Sequence, residues 1–188
     1  MCHFGSIFLI GMYLQVGVGM SAMISGVIMG SQAVGAMMTS RLSVRLFNLY
    51  GAGFPTRIGF IGILVFTAAI LSITVADNIL IGMVILFMRG IFSGLCGTPI
   101  QAASIIGFDH KDVGRASALF NASRQVAISL GVAVSAVFIT YGFKRYGLPV
   151  VTNGTVVALS VFYPAFGVQA ILAVMGLAYA YQLDDASI

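Results

Sequence analysis

Acidic residues are almost missing from this chain. Glutamate is absent, and the five aspartates, Asp77, Asp109, Asp112, Asp184 and Asp185, fall in loops or the tail, never inside an apolar segment. Charged residues of both signs make up 7% of the 188 residues, against about 25% in soluble domains. With a mean hydropathy of +1.07, a polytopic membrane protein is the class that remains. Cysteine is scarce too: Cys2 and Cys96 form no disulfide framework and read as small buried residues. His3 and His110 lack partners at ligand spacing, so no metal site is expected. There is no Ser/His/Asp arrangement, no pair of carboxylates and no glycine-rich phosphate loop, which excludes an enzyme and leaves no cofactor site to assign. The net charge of +4 comes without a basic cluster, so nucleic acid is not a partner. No basic region precedes the first apolar run, so a cleavable signal peptide is not expected.

What is present is a series of apolar runs. A helix needs about 20 mostly apolar residues to span hydrocarbon. Six candidate spans cover Phe4 to Val18, Ser21 to Met38, Ile58 to Val75, Ile79 to Ile106, Ala116 to Tyr141 and Val161 to Tyr181. Uninterrupted runs argue for helices, because a barrel would show alternating segments of about ten residues. Arg41, Arg45, Arg57, Lys111 and Arg115 flank the loops on one side, and Lys144 and Arg145 lie on the other. The richer side is cytoplasmic by the positive-inside rule, which makes both termini cytoplasmic. Ala76-Asp77-Asn78 supplies turn chemistry, Asp112 is placed to cap span five, and Asn153-Gly154-Thr155 fits a glycosylation triplet without a context to support it. Span one begins almost at Met1 without a basic anchor and reads as a cut inside a longer protein.

Two arginines sit inside these runs, Arg89 in span four and Arg124 in span five. A charge at membrane depth costs at least a few kcal/mol, so it survives mostly where it faces protein or a wet cavity. Arg124 lies nine residues beyond Arg115, roughly 13 Å along a helix, and Arg89 lies ten beyond Ile79, roughly 15 Å. Both approach the midplane of a core about 30 Å thick. At about 100° per residue, Ser117, Asn121, Arg124, Gly131 and Ser135 form one stripe with Gln125 at its edge. That stripe is expected to face the bundle interior. Arg89, Ser93 and Cys96 share a face of span four, beside Gly90, Gly94 and Gly97, where small residues permit close helix approach. Pro99 is expected to kink that span. Two readings stand for each arginine: a polar cavity at the midplane, or a guanidinium satisfied by helix-end carbonyls and neighbouring hydroxyls. Tyr13 and Gln15 at the outer end of span one, and Gln32 in span two, either line a path or make interhelical hydrogen bonds. Gly26, Gly30 and Gly35 read as packing positions.

Several of these segments resemble one family. Tyr13-Leu14-Gln15-Val16, continued by Val18-Gly19, Ser21 and Gly26, resembles the opening of the C-terminal half in major facilitator drug exporters. Arg41-Leu42 with Arg45 resembles its basic cytoplasmic loop, and Arg89-Gly90 with Gly94 and Pro99 resembles one of its helices. Gly114-Arg115-Ala116-Ser117-Ala118-Leu119-Phe120-Asn121, with Arg124-Gln125 and Gly131-Val132-Ala133, is most similar to a helix of the fourteen-helix drug:proton antiporter family. Ala127 stands where the family often has glycine, and the loop after span two lacks the family's acidic residue. The resemblance implies an all-α membrane protein of six transmembrane helices, one half bundle of two three-helix inverted repeats, as a single domain over residues 1–188. It implies transport in a bacterial cytoplasmic membrane, with the lipid bilayer and an amphipathic drug-like small molecule as partners. The family's coupling carboxylates lie mostly in the N-terminal half, so protons would be a coupling ion only together with that half. Arg89, Asn121, Arg124, Gln125, Gln15, Tyr13 and Gln32 would line or brace the cavity from one side. A major facilitator for another solute, such as a siderophore or metabolite, and a non-transporting remnant or assembly partner remain open beside this reading.

Overall fold

The computed structural model describes residues 2–72, 78–104, 112–145 and 161–182. Helix α1, Cys2–Met12, runs into a π-helical turn at Tyr13–Gly17; α2 is Ala22–Tyr50, α3 Gly53–Ser72, α4 Ile79–Ala103, α5 Val113–Arg145 and α6 Tyr163–Gln182. Helices α2 to α5 are each long and apolar enough to cross a bilayer, while α1 with its π turn and α6 are shorter apolar helices. Asp77, Asp109, His110, Lys111, the Asn153 triplet, Asp184, Asp185 and the side chain of Cys2 lie outside the described residues.

Local chemistry sets the boundaries. The Ser21 side chain caps α2 by accepting from the Ile24 amide at 3.3 Å, and Asn78 caps α4 by accepting from the Leu80 amide at 3.0 Å. Asp112 precedes α5, its carbonyl accepting from the Ala116 amide at 2.9 Å. The second run is longer than its apolar core: α2 continues to Tyr50 because nothing between Met38 and Gly51 breaks a helix. Arg41 and Arg45, expected in a loop, therefore stand on the last turns of α2. Gly51 ends the helix at φ 75° and donates to the Phe47 carbonyl at 2.9 Å, a conformation that glycine adopts without steric cost. In α4 the helix carries on through Pro99. Proline leaves the carbonyl four residues back without its helical donor, and Ser43 of α2 donates to that carbonyl, Leu95, at 3.1 Å.

Helix α4 packs most extensively against α2 and then α3; α1 packs against α5 and α6; α3 meets α6, α2 meets α3, and α5 meets α6. Exchanging α1–α3 for α4–α6 maps these larger pairings onto one another, while the small α1–α2 contact has no α4–α5 counterpart of like extent among the described residues. Small residues set the closest approaches. Gly35 stands against the Phe87 carbonyl, Gly90 against the Gln32 carbonyl, and Gly94 against the Ala36 carbonyl. On the other side Gly5 of α1 stands against the Gly131 carbonyl of α5. Gly26, Gly30 and Gly97 do not serve as expected: a Cβ there would meet nothing within 4 Å. For Gly26 and Gly30 the reason is that the packed face of α2 is the one carrying Ser25, Ile28, Gln32, Gly35 and Thr39.

The core runs along α1 and its π turn, where Leu9, Ile10 and Leu14 are buried with Leu86, Ile139 and Phe162. The exterior is apolar as well: Met23 is 82% exposed, Met37 75% and Leu119 72%. Such a surface suits lipid chains and not water.

Candidate functional site

Two features stand out in this apolar bundle. The first is built on Arg89, whose side chain is fully buried. Its Nε donates to Thr67 Oγ1 of α3 at 3.0 Å and its Nη1 to Gln32 Oε1 of α2 at 2.8 Å. Its Nη2 donates to Ser6 Oγ of α1. One guanidinium thus ties four helices together. The hydroxyls are oriented to accept, because each has sent its own hydrogen to its helix backbone: Ser6 to the His3 carbonyl at 2.9 Å and Thr67 to the Ile63 carbonyl at 2.6 Å. Planar donors in a fixed fork suit this role, and a lysine would not reproduce them. Of the two readings for Arg89, the structure supports satisfaction by neighbouring side chains. Gln32 likewise makes an interhelical hydrogen bond. Beside this hub, His3 Nε2 and Ser93 Oγ lie 2.9 Å apart.

The second feature is a cleft of about 880 Å³. Its walls include His3 and Phe4 of α1, Met37 and Ser40 of α2, Phe60 of α3, Ser93 and Gln101 of α4, and Phe120, Ser123 and Arg124 of α5. Arg124 is exposed, with its guanidinium carbon 5.7 Å from the centre of the Phe4 ring, within the range of a cation–π contact. The cleft is thus apolar and aromatic over most of its surface, with hydroxyls, an amide and one cation at its edges. That is the composition of a site for an amphipathic molecule.

The polar stripe of α5 does not face inward along its whole length. Its upper part does: Gly131 and Ser135 are buried, and Gln169 of α6 donates to Ser135 Oγ at 2.7 Å. Its lower part is open. Asn121 and Gln125 are exposed, outside the walls of the cleft, and Asn121 donates to the Ser117 carbonyl of its own helix at 3.0 Å. The physical reason is that α1 and α6 pack on the half of α5 carrying Gly131, Ser135, Ile139 and Gly142, and leave the turns around Arg124 uncovered. Tyr13 is a packing residue, buried in the π turn with its ring edge-on to Phe162 at 5.6 Å. Gln15 is exposed. Cys96 is buried beside the cleft.

Ser6, Thr67 and Gln169 were missed from the sequence, although each is a lone polar residue in an apolar run. Gln169 is nearly fully buried, and its Oε1 finds no donor among the described residues. Among the described residues no three His, Cys, Asp or Glu side chains gather to hold a metal.

Bilayer-length helices, an apolar exterior and a buried polar hub define an integral membrane protein of helical bundle type. A family model described as Major Facilitator Superfamily matches residues 1–132, and the chain belongs to that superfamily, whose members are transporters and not enzymes. A protein of Mycobacterium tuberculosis named multidrug resistance protein B homolog is 29% identical over 147 residues, covering 76% of this chain and 27% of that protein. A protein of Serratia proteamaculans named putative multidrug resistance protein MdtD is 24% identical over 181 residues, covering 92% of this chain and 36% of its own length. The chain therefore spans about a third or less of the curated relatives it matches. No solved structure matches it significantly.

Proposed function

We propose that this chain is a six-helix, C-terminal half of a proton-coupled exporter of amphipathic, drug-like solutes, working in a bacterial cytoplasmic membrane with both termini on the cytoplasmic side. The cleft carrying Arg124 is the observation on which the transport reading rests: an amphipathic cavity in a chain of this superfamily. The packing pattern supports the half-bundle reading, because pairings that survive exchange of α1–α3 for α4–α6 are what two three-helix repeats would give. Relatives named for multidrug resistance, of which the chain covers 27% to 36%, support both the solute class and a larger assembly.

Arg89 braces the wall in this scheme, Gln32 holds Arg89, and Arg124 meets the solute. Coupling to protons needs a group that binds and releases them along the path. Asp112 is the one acid among the described residues, and it sits exposed at the start of α5, 3.8 Å from Arg115. The coupling carboxylate would accordingly come from a complementary six-helix half that closes the cleft from the opposite side. Alternating access would then be a rocking of the two bundles about the shared cavity.

Co-expression tests this. The chain is produced with a separately encoded N-terminal half taken from the M. tuberculosis relative, and retention of a fluorescent amphipathic dye is measured in cells. Lower retention with both halves, and with neither alone, is the expected outcome. Equal retention in all cells, with both halves present in the membrane and cross-linked to each other, would reject the assignment.

A further inference from the structure

We infer that the cleft beside Arg124 takes an amphipathic aromatic anion, with the acid group on the guanidinium and the ring among Phe4, Phe60 and Phe120. This rests on the proposed role of the same cleft as a solute site. A volume of about 880 Å³ is ample for a drug-sized molecule, so the open question is its charge.

The walls answer it. Arg124 is the one formal charge among the described residues that border the cleft. Asp112, the one described acid, lies twelve residues earlier, just before the first turn of the same helix and roughly 18 Å away along the axis, beside Arg115. The two arginines also differ in what they touch. Arg89 gives N–H groups to Thr67, Gln32 and Ser6. Arg124 lies over the face of Phe4, and a ring face takes up charge without satisfying the five N–H donors of a guanidinium. A planar acid group pairs with that fork through two parallel hydrogen bonds.

The remaining polar wall atoms fit the rest of such a ligand. Ser40 donates to the Met37 carbonyl at 2.8 Å and Ser123 to the Phe120 carbonyl at 2.9 Å. Their hydrogens are committed to their own helices, so their oxygens face the cleft as acceptors for a ligand N–H or O–H. His3, the one imidazole on the described wall, is engaged with Ser93. A cationic solute would meet Arg124 with no described carboxylate to offset it.

The test uses the full chain in phosphatidylcholine nanodiscs and calorimetric titration with three probes of one shape: 2-naphthoate, 2-naphthylmethylammonium and 2-naphthylmethanol. The anion is expected to bind about tenfold or more tighter than the cation, a modest share of the attraction between contacting charges at a partly wet site. Arg124→Ala abolishes that preference and leaves naphthylmethanol binding intact, which also shows that the cleft is still formed. Arg124→Lys keeps part of it, and Arg115→Ala, outside the cleft, keeps all of it. Equal binding of the two ions, or a preference that survives Arg124→Ala, overturns the inference while naphthylmethanol binding leaves the solute site standing. Failure of all three probes to bind overturns the solute site itself. Adding phosphatidylglycerol to the discs separates two sources of anion. Undiminished naphthoate binding supports a solute, and displacement by the lipid assigns Arg124 to a headgroup and overturns the solute reading.

Discussion

Arg89 and Arg124 look alike in sequence, each a lone cation near the middle of an apolar run, and they end in opposite surroundings. Arg89 is enclosed by three acceptors from three other helices, and Arg124 stands open over a ring. The enclosed one makes a stability prediction. Gln32→Leu removes the acceptor that Nη1 of this buried guanidinium uses, and losing a hydrogen bond to a charged group costs about 1.5–3 kcal/mol. Chemical unfolding of the purified chain in detergent is expected to show that loss. The matched change Gln15→Leu, at an exposed position, should stay within about 0.5 kcal/mol of the parent. Similar stabilities for the two variants would mean that the hub does not hold the bundle. At this scale the sequence revealed that both arginines are expensive and that Gln32 had a polar partner to find. It did not reveal which arginine was enclosed. That depends on whether Ser6 and Thr67, from distant parts of the chain, arrive beside one and not the other.

At the scale of elements, hydrophobic runs were enough to locate each helix among the described residues, four of them of bilayer length, because a segment surrounded by lipid must satisfy its own backbone and helix is the simplest way to do so. Helix ends were less legible. The apolar pattern stops near Met38, but backbone hydrogen bonding does not depend on that pattern, and α2 continues to the glycine at position 51. The same limit applies to glycine. Gly26 and Gly90 are both spaced for packing, yet Gly90 faces the Gln32 carbonyl and Gly26 faces open space. Gly90→Ala is therefore expected to destabilise by about 1–3 kcal/mol through overpacking. Gly26→Ala should be neutral or stabilise by up to about 1 kcal/mol, from higher helix propensity. The same unfolding measurement checks both. Equal effects would contradict the α2–α4 interface described here. The half-open stripe of α5 is the element-scale feature nearest to function. Periodicity located its polar residues correctly, but which turns are covered is decided by where α1 and α6 cross, and no property of α5 encodes that.

At the scale of the whole molecule, the shortage of acid with which the sequence opens becomes a mechanistic statement. A bundle with an amphipathic cleft, two arginines within bilayer-length helices and no carboxylate at membrane depth among the described residues has the surfaces of a transporter wall without a described acid to carry protons. A polar interior was legible in the amino-acid sequence, because two lone arginines in apolar runs demand one. The pairing of α1–α3 with α4–α6 was not, since it emerges only when the helices are packed together. The most direct measurement is dye extrusion from everted vesicles containing this chain as the sole added transporter, with and without an imposed proton gradient. The account predicts the same slow leak in both conditions. Gradient-dependent extrusion that collapses when the gradient is dissipated would contradict it, because the chain would then be carrying out coupled transport without a second half.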